Sequence, residues 1–129
     1  MNTDRETLNK ISERVIGCAY TVGNTLGSGF LERVYENALA HELRKAGLQV
    51  IRQYAIAVKY DGIVVGDYVG DLLIEDKVLA EIKAVWALDD VHKAQCLNYL
   101  KGTGLQLCLL INFGNLRVDI KRIIQDALR

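Results

Sequence analysis

An excess charge is what this chain most plainly lacks. Sixteen Lys and Arg balance sixteen Asp and Glu over 129 residues, so no global positive field draws it onto nucleic acid, and strong nonspecific duplex binding is disfavoured. Arg117, Lys121, Arg122 and Arg129 do cluster near the C-terminus, diluted by Asp119 and Asp126; the cluster reads as a basic patch or as a solvated helix face. Cysteine is scarce as well. Cys18, Cys96 and Cys108 are odd in number, widely spaced and without a C-x-x-C pair, which argues against a disulfide framework and against a zinc or iron–sulfur site. Free thiols in a reducing cytoplasm fit better. The opening MNTDRETLNK has no apolar signal-peptide core, and the longest apolar run, Leu107 to Ile111, is too short to span a bilayer. Repeats, linkers and low-complexity segments are missing too. With half of its residues hydrophobic, the chain is expected to form one domain over residues 1–129, soluble and cytoplasmic, with a sizeable core.

What is present centres on Val69 to Val85, VGDLLIEDKVLAEIKAV. Two aliphatic runs flank Glu75-Asp76-Lys77, the pattern of two strands joined by a short hairpin loop. That turn pairs Ile74 with Val78, Leu73 with Leu79 and Asp71 with Glu81. Alternation then puts Gly70, Leu72, Ile74, Val78, Ala80, Ile82 and Ala84 on one apolar side. Asp71, Glu81 and Lys83 share the other side with Val69, Leu73, Leu79 and Val85. Directly opposed residues lie about 4.5–5.5 Å apart at Cβ, where like charges destabilise the pair. Two carboxylates at about 5 Å repel by roughly 3 kcal/mol at an effective dielectric near 20. Lys83 offsets part of this, and a divalent cation held by both acids would offset the rest. Three merely solvated charges on an exposed hairpin side are the other reading of the same spacing.

Around this hairpin the chain alternates helix and strand. Thr3 with Glu6 forms a capping box, and Leu8, Ile11, Val15, Cys18, Ala19, Val22 and Leu26 recur at helical spacing. Gly17 and Gly23 weaken that helix by about 1 kcal/mol each, which close packing would offset. Gly27-Ser28-Gly29 breaks the chain, and Ser28 is expected to cap a second helix from Phe30 to Ala46, ended by Gly47. Glu32, Tyr35, Leu39 and Leu43 share one face of it. Glu32 there either serves a site or simply favours the helix N-terminus. Leu48 to Tyr60 reads as extended, Asp61-Gly62 as a turn, Ile63 to Val65 as strand and Gly66 to Tyr68 as a bend. Asp67, near that bend, ranks behind Asp71 as a candidate acid. A third helix is capped by Asp89 or Asp90 and runs to Lys101, with Val91, Gln95 and Tyr99 on one face. His92 and His41 read as surface residues. Gly102 to Gly104 is a loop, Leu105 to Asn112 a buried strand, Gly114-Asn115 a turn, Leu116 to Ile120 a strand and Arg122 to Leu128 a short helix. This order makes an α/β sandwich.

An Asp followed ten residues later by Glu-x-Lys on the next strand resembles the PD-(D/E)XK nuclease superfamily, with Asp71, Glu81 and Lys83 as the matching residues. Gly29-Phe30-Leu31-Glu32-Arg33-Val34-Tyr35 is similar to the G-x-x-E-x-x-Y signature of a family assigned to it. Gln95-Cys96-Leu97-Asn98-Tyr99 is similar to the Q-x-x-x-Y element of its RecB-like branch. The resemblance implies a restriction-endonuclease-like α-β-β-β-α-β core, a mixed central sheet flanked by helices, here with an extra N-terminal helix. It implies a nuclease dependent on magnesium or manganese, acting on nucleic acid, DNA ahead of RNA. Asp71, Glu81 and the Ile82 carbonyl would hold the metal, Glu32 would complete the shell or hold a second ion, Lys83 would orient the attacking water, and Gln95, supported by Tyr99, would position the phosphate. Fold does not by itself confer catalysis. A non-catalytic nuclease-fold module acting as a homodimer or with a partner protein is the second expectation, and hydrolysis of a small phosphorylated molecule the third.

Overall fold

The computed structural model describes residues 4–125. No proline interrupts the chain, and the apolar periodicity of the N-terminal stretch forms one helix, α1, Arg5–Leu26. Its cap is Asp4, whose carboxylate accepts hydrogen bonds from the Thr7 N–H and hydroxyl, both at 3.0 Å. The expected cap Thr3 lies outside the described residues. Gly23 packs so tightly that an added Cβ would collide with Val118, whereas Gly17 faces open space. Close packing therefore accounts for one of the two interior glycines and not the other.

Helix α2 spans Glu32–Lys45 and starts two residues later than expected, because Leu31 takes the cap position with no side-chain cap bond. Tyr35 organises the entry in place of Ser28. Its hydroxyl donates to the Gly27 carbonyl at 2.6 Å and accepts from the Phe30 N–H at 3.2 Å. The ring stacks on Phe113 with centroids 4.7 Å apart, a contact worth about 1 kcal/mol beyond its burial. At the other end Gly47 adopts φ 86°. The Leu48 N–H then reaches the Leu43 carbonyl and the Gly47 N–H the Arg44 carbonyl, which satisfies the orphan carbonyls of the last turn.

Strands β1 (Val50–Tyr60) and β2 (Ile63–Ile74) form a long antiparallel hairpin. Asp61 and Gly62, both at positive φ, make the two-residue turn that suits strand twist. The bend expected at Gly66 to Tyr68 is absent: β2 runs on, and an irregularity between Val58 and Lys59 absorbs the extra residue. Strand β3 is Val78–Lys83, and its pairs Ile74↔Val78 and Leu73↔Leu79 are those read from the sequence. Helix α3 (Asp90–Thr103) is capped by Asp89. His92 belongs to this cap, since its Nδ1 accepts the Asp89 N–H at 3.1 Å. The helix continues through Gly102 and Thr103 to a left-handed Gly104, where a loop was expected. Strand β4 is Leu107–Asn112, buried throughout.

Strand β5 is Asp119–Ile124, later than the expected Leu116 to Ile120 and overlapping the expected terminal helix; residues 126–129 lie outside the described range. Ile120, Ile123 and Ile124 have helical spacing, and a short apolar run does not distinguish the two periods. Pairing with β4 decides it, placing Ile120 toward one core and Ile123 toward the other.

The sheet order is β1-β2-β3-β4-β5, and β3 and β4 are parallel because α3 carries the chain across between them. Helices α1 and α2 cover one face, against Leu72, Ile74, Val78, Ala80, Ile82, Leu109 and Ile111. Helix α3 covers the other, against Ile56, Leu73, Leu79, Cys108 and Leu110. The architecture is thus α/β, a mixed five-stranded sheet between helices.

Candidate active site

The site is built where β2 and β3 stop pairing. Their ladder ends at Leu72↔Ala80, and beyond it the two acids take over the strand hydrogen bonds. The Asp71 N–H donates to Glu81 Oε2 at 2.7 Å, and the Ile82 N–H donates to Asp71 Oδ2 at 2.8 Å. Each carboxylate thus anchors to backbone on the opposite side, and the fork stays open.

The cause lies one strand over. Gln53, between the pairs Arg52↔Leu72 and Tyr54↔Gly70, has φ 53°, a conformation rare outside glycine. It sends two successive side chains to one place: Arg52 bonds Glu36 Oε2 at 2.9 Å and Gln53 Nε2 bonds Glu36 Oε1 at 2.9 Å. Strand alternation is broken there. Gly70 consequently points toward Ile56, Leu79 and Glu81, on the α3 side, and not with Leu72 as simple alternation requires.

Burial and crowding set the electrostatics. Glu81 is 2% exposed, and burial together with the neighbouring Asp71 pushes its carboxyl up to about 9. Asp71 is also raised, by burial first and then by Glu36 and Glu32, while the Ile82 N–H and Lys83 act against the rise. The expected repulsion between opposed acids is therefore present. Lys83 lowers both carboxyls yet makes no ion pair within 4.0 Å among the described residues. Its charge is left for the site.

The remaining candidates divide. Gln95 Nε2 donates to the Tyr99 hydroxyl at 2.9 Å, and burial and Glu81 raise the Tyr99 phenol, so Tyr99 feels the acids and Gln95 is tied to it. Ile82 is fully buried on the α1/α2 side, with its N–H on Asp71. Glu32 is exposed at the start of α2: Asp71 feels its charge, but no three acidic, histidine or cysteine side chains among the described residues gather into a metal-binding group. Asp67 is exposed on the hairpin opposite Ala57. The residue sequence reasoning missed is Glu36, 4% exposed and placed within the stripe Tyr35, Leu39, Ala40 and Leu43. A carboxylate inside an apolar stripe was the available signal. Cys96 and Cys108, both buried, lie beneath the acids.

As a donor set, Asp71 Oδ1 and Glu81 Oε1 accept no hydrogen bond from the described residues. Two crowded carboxyl groups, each with an unspent oxygen and one holding its proton for want of a countercharge, suit a hard divalent cation that keeps several waters. They fit such an ion as a partial shell and not as a closed cage.

The sequence profile of the PD-(D/E)XK nuclease superfamily matches residues 9–123. The chain belongs to that superfamily. Among solved structures, this PD-(D/E)XK chain is similar to the crystal structure of SSO0001, with 18% identity and a TM-score of 0.55 over 94% of its own length and 60% of the other. It thus spans about three-fifths of that protein, and the likeness concerns the fold. An alkaline exonuclease from Laribacter hongkongensis aligns at 16% identity and a TM-score of 0.45, over 98% of this chain and 73% of the exonuclease. No curated protein matches the sequence. No described helix is long and apolar enough to cross a membrane.

Proposed function

We propose that this protein hydrolyses phosphodiester bonds of nucleic acid with a magnesium or manganese ion, DNA ahead of RNA, as a member of the G-x-x-E-x-x-Y branch. One observation carries the reading: Glu81, buried, and Asp71, half-buried, are locked side by side at the open end of the β2–β3 ladder, with Lys83 two residues on. A purely structural pair would be better replaced by apolar residues.

Asp71 and Glu81 would hold the ion through their free oxygens, with the Ile82 carbonyl as a further ligand. When bound, the ion supplies charge for a phosphoryl oxygen and an acidified water. Lys83 would orient that water and neutralise developing charge, work suited to a compact cation on a flexible stem. Gln95, held by Tyr99, would set the phosphate in line. Glu32, at the exposed edge, would join only through water or as the holder of a second ion. Glu36 acts at one remove, fixing Arg52 and Gln53 so that the fork stays open.

Calorimetric titration with manganese tests the centre of this reading. Wild type is expected to bind, and Asp71→Ala or Glu81→Ala to lose at least tenfold in affinity. Equal binding by all three ends the metal-site claim. The second reading, a nuclease-fold module working with a partner protein, is favoured by one fact, that among the described residues no third carboxylate joins the pair as a metal-binding group. It gains if metal binds while neither single- nor double-stranded DNA or RNA is cut.

A further inference from the structure

The one tryptophan of the chain lies in solvent. Trp86 is 78% exposed although the backbone beneath it is firmly held. Asn112, 1% exposed, accepts the Val85 N–H at 3.0 Å and donates to the Val85 carbonyl at 2.8 Å. Asn115 donates to the Trp86 carbonyl at 3.2 Å. Gly114 lies so close that an added Cβ would collide with the Val85 backbone. Two asparagine side chains and a glycine thus fix the segment that presents the indole, three residues after Lys83 and so at most about 11 Å along the chain. In the chain just after Asn115, Leu116 is 91% exposed, and the exposed Arg117 has no ion pair among the described residues.

We infer that Trp86 is a stacking platform for an unpaired nucleobase, and that the strand entering the site is single-stranded at that point. The inference rests on the nuclease reading above and names its substrate class. A rigid aromatic face beside a free cation is how a single strand is gripped without sequence preference: the base stacks, the backbone meets the arginine. A duplex offers no free base face except at its ends, and a chain of zero net charge has little else with which to hold two phosphate backbones. Arg117 is the phosphate contact of this track, and Leu116 flanks the base.

Because Trp86 is the sole tryptophan, its emission reports on this residue alone. The test titrates wild type, Trp86→Ala and Trp86→Phe with a fluorescein-labelled 12-mer oligodeoxythymidine and a blunt duplex of equal length, with calcium in place of magnesium. Strand anisotropy and, for wild type, indole emission are followed; manganese-dependent cleavage is measured separately. The single strand is expected to quench the indole. Trp86→Ala should weaken single-strand binding about 5- to 150-fold, Trp86→Phe should recover most of it, and duplex affinity should not move. Binding and cleavage of the single strand with neither quenching nor an effect of Trp86→Ala overturns the stacking role and leaves the nuclease reading standing. Equal quenching by the blunt duplex overturns the substrate class. If no nucleic acid is bound or cut by wild type, the nuclease reading fails first and this inference with it. An indole that answers only to self-association marks a protein interface and overturns the inference.

Discussion

Glu81 keeps its proton because the folded chain gives its charge nowhere to go. Burial and Asp71 raise it from 4.5 to about 9, so across that window the folded, metal-free protein holds a proton that the unfolded chain has released. The sign follows: stability contributed by the protonated acid is whole below about pH 4.5 and is lost as pH rises toward 9. Glu81→Gln keeps an acceptor for the Asp71 N–H and removes the charge. It is expected to flatten that decline and to stabilise the metal-free protein at pH 8 by about 1–2 kcal/mol, or roughly 5 °C in Tm. Thermal melts from pH 5 to 9 check it, and a variant that melts lower than wild type at pH 8 would show that Glu81 is not strained there. Adding manganese should raise Tm for wild type and not for Glu81→Gln. The pairing of Asp71 with Glu81 was legible from hairpin alternation. Glu36 showed there only as a carboxylate inside an apolar stripe; its role did not, because its partners Arg52 and Gln53 arrive from another element.

Among the elements, the C-terminal ends of β3 and β4 are tied by side chains where ladder bonds run out. Asn112 satisfies the Val85 N–H, the Val85 carbonyl and the Gly114 N–H at once. Asn112→Ala should cost about 3 kcal/mol, since buried backbone groups lose their partners. A urea titration should show a lower midpoint with an unchanged slope, the mark of lost stability without a changed unfolded state; a loss below about 0.5 kcal/mol would mean that water substitutes for the amide. Similar physics explains why β5 was misplaced in the sequence. Its isoleucines fit either period, and only the β4 edge, offering its ladder from Leu107 to Asn112, selects the strand.

For the molecule as a whole, charge balance limits how nucleic acid is held. With sixteen positive and sixteen negative residues, the proposed track relies on Lys83 and Arg117 and not on an overall positive field. Single-strand affinity is therefore expected to fall only gently with salt, with a log–log slope no steeper than about −2 between 50 and 200 mM. Anisotropy measured at several salt concentrations checks this. A slope near −5 would require a broad cationic surface and would put the grip elsewhere than at Trp86 and Arg117. The helical cover on both faces of the sheet was readable from the order of apolar periods, and the parallel β3–β4 pair follows from the helix between them.

The sequence by itself determined what depends on neighbours a few residues apart. Those are the helix and strand order as far as β4, the Glu75-Asp76-Lys77 turn, the β2–β3 register that brings Asp71 beside Glu81, and the Gln95–Tyr99 spacing of one helical turn. The tertiary structure alone decided the rest. It buried Glu36 and left Glu32 at the rim, forced Gln53 to positive φ and turned Gly70 over, and held Trp86 out in solvent. Period and alternation are properties of a local backbone. Burial, charge proximity and an opened ladder arise only when α2, β1 and β2 press on one another.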